Sequence, residues 1–183
     1  NIVWAYRGNG AFTSEHGHQG GLAVLLTLKL FSEGGHDRVT PMLSFLASKG
    51  KSQCEIDLGL LVEWQRFGNA EEGVLFVECK SYNKFEKKDV ERMLQFAKEF
   101  PGVAIVVSTF RRSLESSECE MLLPFAKQGW LPKFENKLAN PLIILTGNEL
   151  FSHTNPRQTW KSLGGRFAKY GNWSYDGNEE ETL

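Results

Sequence analysis

Two short charged clusters carry the chemistry of this chain. Glu78-Cys79-Lys80 closes an apolar run, Gly73-Val74-Leu75-Phe76-Val77, and an upstream run carries Glu55-Ile56-Asp57. Side chains alternate along a strand, so Glu78 and Lys80 face one way and Cys79 the other, while Glu55 and Asp57 share a face of theirs. Carboxylates and an ammonium gathered on one sheet face are costly to bury without a partner. A divalent cation and a phosphate would supply that partner, which points to a metal-dependent phosphodiesterase.

The elements that must position these residues can be read from hydrophobic period. Ser14 is a good N-cap for a helix running through Phe31, apolar nearly all round from Leu22 onward and therefore buried. Three strands are predicted next, over 41–48, 54–64 and 74–80, with short connections that imply an antiparallel meander. A helix over 84–100 carries Val90, Met93, Leu94 and Ala97 on one stripe, and Pro101-Gly102 ends it. The unbroken run Val103–Val107 has the pattern of a strand covered on both faces. A further helix over 115–128 and a buried strand over 142–145 complete an α/β chain, a mixed sheet flanked by helices.

Bulk composition narrows the setting. With 183 residues, 41% hydrophobic and 23% charged, the chain suits one soluble domain plus small appendages. The expected division is a leader over 1–13, a catalytic domain over 14–151 and a C-terminal extension over 152–183. No apolar stretch reaches the roughly 20 residues needed to span a bilayer, so no membrane partner is expected. A formal net charge of −1 argues against a pure nucleic-acid-binding module, which is usually basic, and less against a nuclease whose acids offset its basic contacts. Cys54, Cys79 and Cys119 are odd in number and scattered, as free thiols of a reducing cytoplasm would be. A chain that begins with Asn1 reads as a piece of a longer, multidomain protein.

At Asp57 and Glu78-Cys79-Lys80 the chain resembles the PD-(D/E)XK nuclease superfamily, with the restriction-endonuclease-like fold. Within it, the similarity is to Mrr-type restriction enzymes and archaeal Holliday-junction resolvases. An acid on the second strand, acid-X-Lys ending the third, then a helix and a buried strand carry the resemblance, over about residues 14–151. Lys80-Ser81-Tyr82, the strand ending Ser108-Thr109 and the late Thr146-Gly147-Asn148-Glu149-Leu150 also look like that family. Ile56 stands where the family name has proline.

The resemblance implies an α-β-β-β-α-β core and an endodeoxyribonuclease using Mg²⁺ or Mn²⁺. Asp57, Glu78 and the main-chain carbonyl of Cys79 would offer oxygens to the ion, joined by Glu15 from the first helix. Lys80 would hold the scissile phosphate, its simplest role. Gln95 is the counterpart of a glutamine common on the helix after strand three, though it lies off the apolar stripe. Arg111 and Arg112, just past the buried strand, and Lys84 are the expected phosphate contacts. DNA is favoured over RNA, and cutting both strands of a duplex would favour a homodimer. The same residues leave two other readings open: a module that binds nucleic acid or assembles without turnover, and a structural domain with Asp57 and Lys80 as an internal ion pair.

Overall fold

The computed structural model describes residues 21–33, 38–49, 52–66, 69–101, 103–129, 140 and 142–151. The expected leader over 1–13, the first-helix residue Glu15 and the extension over 152–183 lie outside the described residues. The element order is α1 (Gly21–Ser32), β1 (Arg38–Lys49), β2 (Ser52–Arg66), β3 (Asn69–Lys80), α2 (Lys87–Glu99), β4 (Ala104–Thr109), α3 (Ser116–Gly129), β5 (Leu142–Leu145) and α4 (Gly147–Phe151). This contains the α-β-β-β-α-β order that the resemblance implies. The five strands form one sheet in sequence order, with β1, β2 and β3 antiparallel and β4 and β5 joining in parallel. The strands of the meander run longer than their apolar cores suggest, because backbone pairing extends through flanking polar residues such as Glu71 and Glu72.

Apolar side chains on both faces of the sheet explain the layering. Leu58, Leu60, Val62, Leu75, Val77, Cys79, Val106 and Leu145 pack with Ala23, Leu30 and Phe31 of α1 and Leu150 of α4. Phe76, Ile105, Val107 and Leu142 pack on the other face with Val90, Met93 and Phe96 of α2 and Leu122 of α3. The helix α1 is further pinned by Thr27, whose Oγ1 donates to Ala23 O at 2.8 Å and sits 2.7 Å from Ser108 Oγ in the core. Among the described residues no helix is long and apolar enough to cross a membrane.

One irregularity in the meander shapes everything downstream. Cys54 and Ile56 pack on the α2 face, whereas Leu58, Leu60 and Val62, of the same parity on the same strand, pack on the α1 face. Their β1 neighbours switch likewise, Val39 lying with the α1 cluster and Phe45 and Ala47 with the α2 cluster. The changeover falls at Ser44 and Asp57, which drop out of an otherwise continuous β1–β2 register. Ser44 has φ of 42°, a left-handed conformation that rotates the strand. The strict alternation expected across Asp57 therefore fails, because the hairpin turns its faces over at that point. Gly59 accommodates the turn: a Cβ there would meet the Phe45 ring at 2.8 Å.

Candidate active site

The site lies where β2 and β3 part. Their ladder runs from Arg66↔Asn69 to Leu58↔Val77, and beyond it Asp57 and Glu78 are no longer backbone partners. In place of the next ladder bond, Cys79 N–H donates to Asp57 Oδ2 at 2.7 Å. A side chain thus satisfies a strand amide, and the same bond fixes the Asp57 carboxylate beside Glu78. From Phe76 onward β3 keeps its alternation. Glu78 turns toward α2, lining a small void with Cys54, Ile56, Phe76, Met93 and Phe96, while Cys79 turns into the α1 cluster.

Lys80 follows Glu78 on the same face, as the period requires. Its Nζ lies 3.2 Å from Glu78 Oε1 and 3.4 Å from Asp89 Oδ2. Asp89 is buried at the start of α2, where its Oδ2 also accepts Glu86 N–H at 2.9 Å. That bond is half of a capping box, so one carboxylate both starts the helix and receives the lysine. One turn on, Arg92 donates through Nη2 to Glu78 Oε1 at 2.7 Å. Asp89 and Arg92 were not anticipated from the sequence; their spacing of three signals a shared helix face and nothing about what that face meets.

Electrostatics follow from this crowding. Burial pushes the Asp57 carboxyl above its ordinary pKa, and the Cys79 amide, Lys80 and Arg92 only partly oppose the shift. Burial and then the like charge of Asp57 push Glu78 up as well, against Arg92 and Lys80. For Lys80, burial disfavours the ammonium, but Glu78 and Asp89 more than offset it, so its pKa lies above the lysine norm. Lys80 is thus a held ammonium, suited to attract a phosphate rather than to accept a proton.

The other anticipated residues are placed variously. Glu55 is exposed, and Gln95 is exposed on the outer side of α2. Lys84 precedes α2 rather than opening it, because Glu86 is the N-cap and the helix begins at Lys87, and its Nζ pairs with Glu115 at 2.7 Å. Arg111 is only 17% exposed and its guanidinium is committed to Glu118 through Nη1 at 2.8 Å and through Nη2. Arg112 beside it is exposed. The chain leaving Lys80 is tied to β4, as Ser81 O accepts Phe110 N–H at 3.0 Å and Thr109 Oγ1–H at 3.3 Å. Next to it Tyr82, 73% exposed, meets the Phe110 ring edge-on at 5.7 Å between centroids.

Among the described residues no group of three or more histidine, cysteine, aspartate or glutamate side chains is placed to hold a metal. Asp57 and Glu78 form a smaller donor set, both hard oxygen ligands with raised pKa values. Magnesium commonly takes only one or two protein carboxylates and fills its octahedron with water and substrate phosphate, so this donor set fits it.

No family model matches the chain, and no curated protein matches it. Among solved structures it is similar to the MspJI restriction endonuclease in complex with a 27-mer oligonucleotide, at a TM-score of 0.43 and 16% identity. The similarity covers 70% of this chain and 25% of that one, so the chain spans about a quarter of that enzyme's length.

Proposed function

We propose that the chain is a metal-dependent nuclease that hydrolyses phosphodiester bonds, with DNA as the expected substrate. The observation that carries this reading is the meeting of Asp57, Glu78 and Lys80 at the point where β2 and β3 separate. Two carboxylates there remain under-compensated despite nearby cations, which is the electrostatic condition a divalent ion relieves. Asp57 and Glu78 would hold Mg²⁺ or Mn²⁺, with the carbonyl of Cys79 as a further oxygen. When bound, the ion supplies Lewis acidity toward a phosphate oxygen.

The chain's own residues have separable tasks. Asp57, anchored by the Cys79 amide, keeps one carboxylate oxygen fixed. Lys80, steadied between Glu78 and Asp89, presents a permanent positive charge to the scissile phosphate. Exposed Arg112 and Lys84 lie on segments flanking the ends of β3 and β4 and would contact the backbone, while Arg111 supports the loop from inside. Double-strand cutting would use two such sites, hence a dimer.

The test is cleavage of plasmid, linear and branched DNA, and of RNA, with Mg²⁺ or Mn²⁺, using wild type and Lys80→Ala side by side. Metal-dependent cutting lost by Lys80→Ala is the expected result. No cutting of any substrate, or cutting that survives Lys80→Ala, counts against the proposal. A second reading, a binding or assembly module without turnover, is favoured by one observation: Glu78 Oε1 already has both Lys80 and Arg92 as partners. Nucleic-acid binding that needs no metal and is unchanged by Glu78→Ala would support it.

A further inference from the structure

A second cation on Glu78 is not required by the roles assigned so far. Arg92 Nη2 lies 2.7 Å from Glu78 Oε1 and 3.8 Å from Asp89 Oδ1, while Lys80 reaches the same Glu78 oxygen at 3.2 Å. Two like charges therefore converge on one carboxylate oxygen. Arg111 offers an internal contrast, since it grips both oxygens of Glu118 with two nitrogens. Both arginines leave a buried Nε without a hydrogen-bond partner among the described residues, but Arg92 has only one short bond to Glu78 and one long ion pair. Its side chain is also 38% exposed, so a path to solvent is open to it. A guanidinium built as a structural bolt would grip its carboxylate with both terminal nitrogens, as Arg111 does, and would not stand at an opening.

We propose that Arg92 is a resident counter-cation that competes with the divalent ion for Glu78, and so sets the metal concentration at which the site loads. This inference rests on the metal-dependent reading given above. Arg92 compensates a carboxylate that is buried and faces the like charge of Asp57. A divalent ion brought to the same carboxylate would repel the guanidinium at short range, so the two occupants are thermodynamically linked. The competition is reciprocal: whatever holds Glu78 more weakly than Arg92 yields to the ion sooner.

Mn²⁺ titration calorimetry tests this on wild type, Arg92→Gln and Arg92→Lys, each with and without Glu78→Gln. Arg92→Gln should bind Mn²⁺ about tenfold more tightly than wild type, within the usual span of such couplings. Arg92→Lys, which keeps the charge, should stay near wild type. With Glu78→Gln present, the gain from Arg92→Gln should shrink to well under that in the Glu78 background, because the shared ligand is gone and only the weaker action of Arg92 on Asp57 remains. Equal or weaker Mn²⁺ binding by Arg92→Gln, including no binding by either protein, overturns the inference. So does a gain that is undiminished with Glu78→Gln. If Arg92→Gln loses its cooperative unfolding transition, Arg92→Met repeats the comparison with the side-chain stem retained. A wild type that cleaves DNA while Arg92→Gln shows no gain removes this inference and leaves the nuclease. A wild type that binds no Mn²⁺ while Arg92→Gln does supports the competition and removes metal-dependent catalysis from the native chain.

Discussion

Replacing Glu118 by glutamine should cost the fold about 3 kcal/mol, although the side chain lies outside the Asp57–Glu78–Lys80 cluster. Glu118 is 1% exposed and gathers three segments: it accepts Phe85 N–H at 2.8 Å, Glu115 N–H at 2.9 Å and both terminal nitrogens of Arg111. Glutamine keeps the shape but removes the charge, and its amide nitrogen faces donors at one of these positions. Breaking a buried pair by removing one partner costs about 3–5 kcal/mol, and the lower end applies because Arg111 can still reach some water. For a domain of this size that is a fall of roughly 6–12 °C in thermal midpoint. Acid should expose the mechanism. Burial pushes the Glu118 carboxyl up, but Arg111 and the two amides pull it further down, so its net pKa lies below the glutamate norm. The folded state then binds this proton less readily than the unfolded state. Its stabilisation is full above the unfolded pKa and is lost as pH falls through the folded one. Urea unfolding of both proteins from pH 7 downward should show a gap that is widest near neutrality and narrows below the ordinary glutamate range. A gap under about 1 kcal/mol at pH 7, or one that does not narrow with acid, would refute the reasoning.

Gly147→Ala should destabilise by about 3 kcal/mol in the same assay, since such overpacking has no cheap relief. A Cβ there would lie 2.4 Å from the main-chain oxygen of Phe110, and the Gly147 amide is already bound to Arg111 O at 2.8 Å. An unchanged urea midpoint would show that the α4 turn can shift away. Arg112→Ala should leave the thermal midpoint in place and weaken DNA binding, with a salt slope shallower by about 1. Arg111→Ala should do the reverse, lowering the midpoint; a variant that keeps its stability but loses DNA affinity would overturn the assignment of Arg111 to Glu118.

What the sequence discloses depends on whether a residue's role is local. The unbroken run Val103–Val107 reads as a doubly covered strand, and all of β4 is buried. The stripe on α2 is legible through Val90, Met93 and Ala97, although Phe96 takes the buried place expected for Leu94. Glu78 and Lys80 share a face because period two holds to the end of β3. Asp57 reaches them by another route: a serine with left-handed backbone turns the hairpin over, and neither Gly nor Asn at position 44 announces it. Asp57 comes beside Glu78 and Cys79 although the alternation expected of its strand is not kept.

Asp89, Arg92 and Glu118 act through contacts between elements, which no spacing within an element reveals. Their inclusion alters the charge balance on which the site depends. Counting only Asp57, Glu78 and Lys80 leaves one negative charge, and adding the Asp89–Arg92 pair leaves the same one. A divalent ion would turn that excess into one positive charge, and a phosphodiester would cancel it. The cluster is therefore closest to electrically complete with both ion and phosphate in place, and its excess negative charge rests on Asp57 and Glu78, the two carboxyls whose pKa values burial raises.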